Sequence, residues 1–240
     1  MRKRLRFVGV FLAVAGFGFG VAAAVAYAKV QDGYDSLQAI SEQQNVTLSY
    51  NDDGQLIDRG ETEGAEAIMS LLKDDWQYPV VEGDLDPSDP LVNTATEYMY
   101  QMATVTYHVI HGTQTVVLDE AVTTESGEVF PAGEYEFDVD GRYWADFDRS
   151  NPIEAAAREQ AWTGTAHGLI AELGVGTVTH STLQIGLGVA GLLAGLGVVL
   201  MVAGCGLVWA SRSKEVIIPD TVPESFVTER IEETTAFGKV

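Results

Sequence analysis

Two long stretches without a charged residue constrain this chain more than anything else in it: Phe7 to Ala28 and Gly174 to Ala210 contain no Asp, Glu, Lys or Arg. At about 1.5 Å per residue, a helix over the first reaches roughly 33 Å, close to the thickness of bilayer hydrocarbon. In the second, the apolar run Ile185 to Trp209 is long enough to cross with some tilt. Backbone in hydrocarbon must satisfy its own hydrogen bonds, so both read as transmembrane helices, over 7–28 and 183–209.

The flanks give an orientation. Arg2, Lys3, Arg4 and Arg6 precede the first span, Arg212 and Lys214 follow the second, and the intervening ends are poor in basic residues. Basic residues stay on the inner side, which predicts two passes with both termini cytoplasmic. Tyr27 and Trp209 stand where interfacial aromatic anchors are expected. A rival reading is a signal peptide cut after Ala26-Tyr27-Ala28, but the apolar stretch is longer than a usual signal core, and an uncleaved anchor is preferred. Both spans carry small residues at helical spacing: Gly9, Ala13, Gly16, Gly20 and Ala24 in one, Gly188, Gly191 and Gly195 in the other. Such stripes let backbones approach in lipid, so the spans are expected to pack on each other, on a second copy or on a membrane partner.

Charge then sorts the partners. Of 240 residues, 35 are acidic, and between Lys29 and Leu183 stand 29 of these against six basic residues, a net of −23. Phosphate backbones and anionic headgroups are repelled by such a surface, so the outer part is not expected to bind nucleic acid. The single cysteine, Cys205, lies in the second span, which leaves the outer part without a disulfide. Val202-Ala203-Gly204-Cys205 matches a lipoprotein box by chance, being far from an amino-terminal signal.

The patterns between the spans predict an α+β extracytoplasmic domain, over 29–182, of helices and small antiparallel hairpins. A short helix is expected over Tyr34–Gln44, then a hairpin turning at Asn51–Gly54, then a helix over Glu63–Asp74. Pro90 marks a helix start, with that helix running to His111 and burying Met99, Met102, Val105, Val109 and Ile110. Period-two alternation follows, with a turn at Glu125–Gly127 and a strand carrying Tyr135, Phe137 and Val139 on its dry face. Asp140-Gly141 is a hairpin signal with a returning strand over Tyr143–Phe147. Asn151, Pro152 and Glu154 open a last helix that runs to Leu173 before Gly174. The basic start, 1–6, and the tail, 210–240, are cytoplasmic, the tail mostly extended or disordered.

The chemistry-bearing patterns are few. Glu136, Asp138, Asp140 and Gly141 resemble the opening of a calcium loop, but Phe147 stands where the closing bidentate Glu belongs, so the wet face of a hairpin accounts for them. His108 and His111 lie three apart on one helix face and would hold a transition metal only with further converging ligands. Tyr143, Trp144, Asp146, Asp148 and Arg149, with the acidic turn of Asp84, Asp86 and Asp89, suit a groove for sugar or peptide, or a plain hairpin core. No nucleophile elbow, phosphate loop or zincin helix is present.

The stretches GYDSLQAISEQQNVTLSYNDDGQLIDRG, DPLVNTATEYMYQMATVTYHVIHGTQTVVLDE, VDGRYWADFDR and AREQAWTGTAHGLIAELGVG together resemble an uncharacterised family of actinobacterial two-pass membrane proteins. The resemblance covers most of the outer domain and the second membrane segment and implies architecture and a bacterial plasma membrane; it supplies no catalytic residues. The reading is therefore a non-enzymatic envelope protein whose outer domain is an interaction, sensory or accessory module, without a cofactor. The alternative is a membrane-anchored, metal-dependent enzyme or cation-binding protein, with a divalent cation at His108 and His111 or at the acidic loops.

Overall fold

The computed structural model describes residues 2–212; the tail expectation falls on residues outside these. The chain is helix-rich with small antiparallel sheets. It begins with α1, Arg2–Gln44, and its last described element is α5, Gly164–Ala210; both are long and apolar enough to cross a membrane. In sequence between them come α2 (Thr62–Ser70), α3 (Ala95–Ile110), β1 (Thr113–Leu118), β2 (Val122–Thr123), β3 (Val129–Phe130), β4 (Gly133–Asp138) and α4 (Pro152–Ala161). By its internal contacts the described chain divides into two compact units, 2–21 with 194–212 and 22–193.

In the first unit, the amino-terminal part of α1 and the carboxy-terminal part of α5 meet backbone to backbone. A Cβ at Gly9 would stand 2.7 Å from the Gly204 carbonyl oxygen, and one at Gly16 would stand 2.6 Å from the Gly197 carbonyl oxygen. A Cβ at Gly204 would lie 2.5 Å from both Ala13 N and Gly9 O. Glycine is required there because backbone, unlike a flexible side chain, cannot step aside.

The second unit has a conventional core. Leu37 of α1, Leu48, Ile68 of α2, Leu72, Tyr98 and Ala103 of α3, Val139, Phe147, Trp162 and Leu173 of α5 are buried together. β1 pairs antiparallel with β4, Thr113 opposite Asp138 through Leu118 opposite Gly133, and α4 packs on this pair. The expected alternation of β4 is present: Phe137 and Tyr135 are half-buried and Glu134, Glu136 and Asp138 are exposed. The β2–β3 pair turns through Gly127, whose φ is +88°.

Several boundaries differ from the sequence reading. The helix expected over Tyr34–Gln44 is the continuation of α1 itself, which ends where Asn45 takes φ +51°, the left-handed conformation that terminates helices. The helix expected from Pro90 starts at Ala95 instead. Pro90 O and Val46 O accept from Leu48 N and Val92 N, holding residues 90–92 extended, and Thr94 with Glu97 forms the capping box that opens α3. Its buried residues are Ala95, Thr96, Glu97, Tyr98, Tyr100, Ala103, Thr106 and Ile110, while Met99, Met102, Val105 and Val109 are only half-buried.

Asp140 and Gly141 do turn, at φ +49° and +78°, but no strand returns over Tyr143–Phe147. Beyond β4 the backbone is committed elsewhere: Val139 N and Gly141 N donate to Gly112 O and Ile110 O, tying the turn to the end of α3, and Tyr143 N donates to the Asp146 carboxylate. The last expected helix breaks at Trp162, whose indole Nε1 donates to Arg142 O at 3.2 Å; Thr163 then caps a new helix through Ala166 N. Gly174 does not end it. α5 runs on through Gly176, where a side chain would meet the Tyr98 ring at 2.7 Å, so the helix keeps a glycine it would otherwise disfavour in exchange for close packing.

Candidate functional site

The histidine pair separates. On α3, His108 Nε2 lies 2.9 Å from Asp58 Oδ1 in a half-buried contact that pins the turn at Arg59–Gly60 to the helix. His111 Nδ1 donates to the Tyr107 carbonyl of its own helix at 3.0 Å, and its ring lies 4.2 Å from that of Tyr107. Each imidazole is therefore oriented by a different partner. Among the described residues, no three His, Cys, Asp or Glu side chains gather within reach of a metal ion. Glu136 and Asp138 stand on the exposed face of β4, where Asp138 accepts from Thr113 Oγ1 at 2.6 Å, and Asp140 is exposed in the turn beyond it.

Of the small residues singled out, Gly9, Ala13 and Gly16 lie at the backbone-to-backbone approach with Gly197 and Gly204, and Gly20 N would be 3.0 Å from a Cβ at Gly197. Gly188, Gly191 and Gly195 face open space. Gly197 and Gly204 were legible as small residues seven apart, but the Gly-rich span offers several such registers and the sequence does not choose between them.

Two concavities of ligand size are built from the residues of the second unit. One, of about 690 Å³, is walled by Trp76, Tyr107, His111 and Tyr143, with Ser70 and Asp75 at its rim. The π-turn Leu71–Asp75 that ends α2 delivers Trp76, and the turn after Gly141 delivers Tyr143. Trp76 Nε1 donates to Tyr143 Oη at 3.0 Å, which fixes the two rings relative to each other, and Asp146 accepts from Tyr143 N at 2.9 Å. With Nδ1 of His111 used on its own helix, Nε2 is left as an acceptor, and the Tyr143 hydroxyl keeps a proton to donate. Aromatic faces with a carboxylate, an imidazole acceptor and a hydroxyl suit a ligand that is partly flat and partly polar.

The aromatic run continues behind the pocket. Tyr143 lies 5.8 Å from Trp162, Trp162 5.6 Å from His167, and His167 edge-on 5.1 Å from Trp144, on which the Arg158 guanidinium stacks at 4.0 Å. Tyr143 and Trp144 thus serve the packing of α4 and the start of α5 as well as the pocket wall. Asp148 and Arg149 lie apart from it; Asp148 accepts from Ser150, which holds its carboxyl below the usual range.

The second concavity, about 650 Å³, is apolar. Leu37 and Ile40 of α1, Val46, and Leu169, Leu173 and Val175 of α5 line it, with Tyr98 at its base. Sequence reasoning did not find it, because its walls come from segments more than a hundred residues apart and each reads alone as an ordinary amphipathic turn. Elsewhere in this unit, burial raises the Glu97 carboxyl above its usual range against the pull of Asn93 N and Thr94 N, and pushes Tyr50 up to about 12.

Comparison with protein-family models, with curated proteins and with solved structures finds no match to this chain.

Proposed function

We propose that this chain is a two-pass protein of a bacterial plasma membrane, with both termini cytoplasmic and residues 29–182 outside, where they form a non-enzymatic interaction, sensory or accessory module. The membrane part of the reading is supported by α1 and α5, which are uncharged over spans of bilayer length, and by the glycine-mediated approach of 2–21 and 194–212. The basic residues Arg2, Lys3, Arg4, Arg6 and Arg212 support the orientation.

The observation that carries the module reading is the open pocket of Trp76, Tyr107 and Tyr143. Large rigid aromatics around a few polar groups are the composition of recognition surfaces, and the acidic surroundings favour a neutral or cationic ligand over an anionic one. The resemblance to actinobacterial two-pass proteins is compatible with an envelope component as that ligand.

The test uses the full chain with Cys205 replaced by Ala. Cysteine placed at Ser126 reacts with a membrane-impermeant maleimide on intact protoplasts, and cysteine placed at Thr234 reacts only after permeabilisation. The opposite pattern inverts the topology. In the same cells a photocrosslinking residue at Ser70 gives a discrete adduct that Trp76→Ala with Tyr107→Ala abolishes; an adduct indifferent to both changes removes the pocket from the function.

A further inference from the structure

The apolar groove lies in the part of the chain that the proposed function puts outside the membrane, and there it is out of place. Ile40, Leu169 and Val175 on its flanks are 54%, 43% and 66% exposed, although α1 at this level carries Lys29, Asp32, Asp35 and Glu42. Contiguous apolar surface in water marks something that covers it. We infer that this groove holds the hydrocarbon chain of a membrane lipid whose headgroup carries no net negative charge.

Three observations choose that occupant. First, three of the four side-chain donors that line the groove, all but Thr179, are engaged within the protein: Ser36 Oγ donates to Asp32 O, Tyr98 Oη is bonded to Ser41 Oγ at 2.7 Å, and Gln44 Nε2 donates to Glu172 Oε1. A peptide segment laid here would leave its own amide groups unpaired, whereas an alkyl chain asks for none. Second, the groove ends at Gly33, whose missing side chain is replaced by Leu183, the first residue of the assigned second span. From Gly33 to Gln44 it rises about 16 Å along the helix, so it opens at the level where the assigned bilayer begins. Third, its margin is acidic. Glu172 stands in its lining and the surrounding stretch 29–183 carries a net −23, which together repel an anionic headgroup and equally the acidic domain of a second copy of this chain.

This inference rests on the membrane reading, and the experiment separates the two. The full chain is reconstituted in bilayer discs of phosphatidylcholine containing a phosphatidylcholine with a diazirine at the end of one acyl chain. Irradiation and peptide mapping are expected to place label on residues 33–46 and 169–179 as well as on the spans. Ile40→Trp with Leu169→Trp, both at exposed positions, fills the groove and reduces groove label at least fivefold while span label is unchanged; Val117→Trp, exposed on β1, changes neither. The same diazirine on phosphatidylglycerol labels the groove at least twofold less.

Label confined to the spans, groove label indifferent to the double substitution, or protein-to-protein crosslinks through the groove overturn the inference and leave the membrane reading standing. A chain that does not enter the bilayer, with neither span labelled, overturns both.

Discussion

The two units of this chain solve packing in opposite ways. In 22–193 a filled core of apolar side chains lies inside, with Ile68, Leu72 and Val139 fully buried. In the pair of 2–21 with 194–212 the inside is glycine, and the large side chains point away: Phe17 is 65% and Trp209 75% exposed. Water drives the first arrangement, because burying apolar area is what stabilises it. Nothing in water rewards the second. It is the arrangement expected where the surroundings are as apolar as the side chains and helices associate by close van der Waals approach, which is the physical support for placing this pair in lipid.

If that contrast is right, the two units respond oppositely to side-chain size. The largest effect belongs to the body. Leu72→Ala leaves a cavity in a filled core and is expected to cost about 2–5 kcal/mol, read from chemical denaturation of the reconstituted protein. In the helix pair it is enlargement that damages. Gly204→Leu drives a side chain into Ala13 N and Gly9 O and is expected to cost about 1–3 kcal/mol, whereas Phe17→Ala, on the outward face, changes stability by under ~0.5 kcal/mol. A Phe17→Ala penalty equal to that of Leu72→Ala would end the comparison.

A smaller effect in the body sharpens it, by showing that this unit follows the rules of an aqueous protein. Thr94→Ala removes one half of the capping box and is expected to cost about 1 kcal/mol. Glu97, its other half, has a carboxyl pKa raised by burial, so the folded chain holds that proton more tightly than the unfolded chain does. Its contribution is therefore fully present below the ordinary Glu value and is lost as pH rises through the folded value. Glu97→Gln keeps an acceptor for Asn93 N and Thr94 N, and is expected to flatten the stability profile across that window; an unchanged slope would show that Glu97 does not titrate differently on folding.

Much of the local structure was legible in the residues. The uncharged stretches of α1 and α5, the helix over 62–75, the turn at Gly127 and the dry face of β4 all follow from hydrophobic period and turn chemistry. The errors share a cause. Pro90, Gly174 and Asp140-Gly141 are strong local signals, and each is overruled by a contact from elsewhere: Val46 and Leu48 hold 90–92 extended, Tyr98 packs over Gly176 in a helix that runs past Gly174, and the end of α3 ties down the backbone of 139–141. The candidate sites were less legible still. His108 and His111 share a helix face in sequence, yet Asp58 and the Tyr107 carbonyl turn their rings to different tasks.

What the sequence determined by itself is the division of the chain by charge: where charge is absent for the length of a bilayer, and where acidic residues are concentrated. That follows from composition and spacing, which are local quantities. Only the tertiary structure decided which glycines meet, which aromatics share a pocket, and that Ile40 and Leu169 wall one groove, because these depend on the register between segments distant in the chain. A register is set by the fit of many side chains at once, and no single residue carries it.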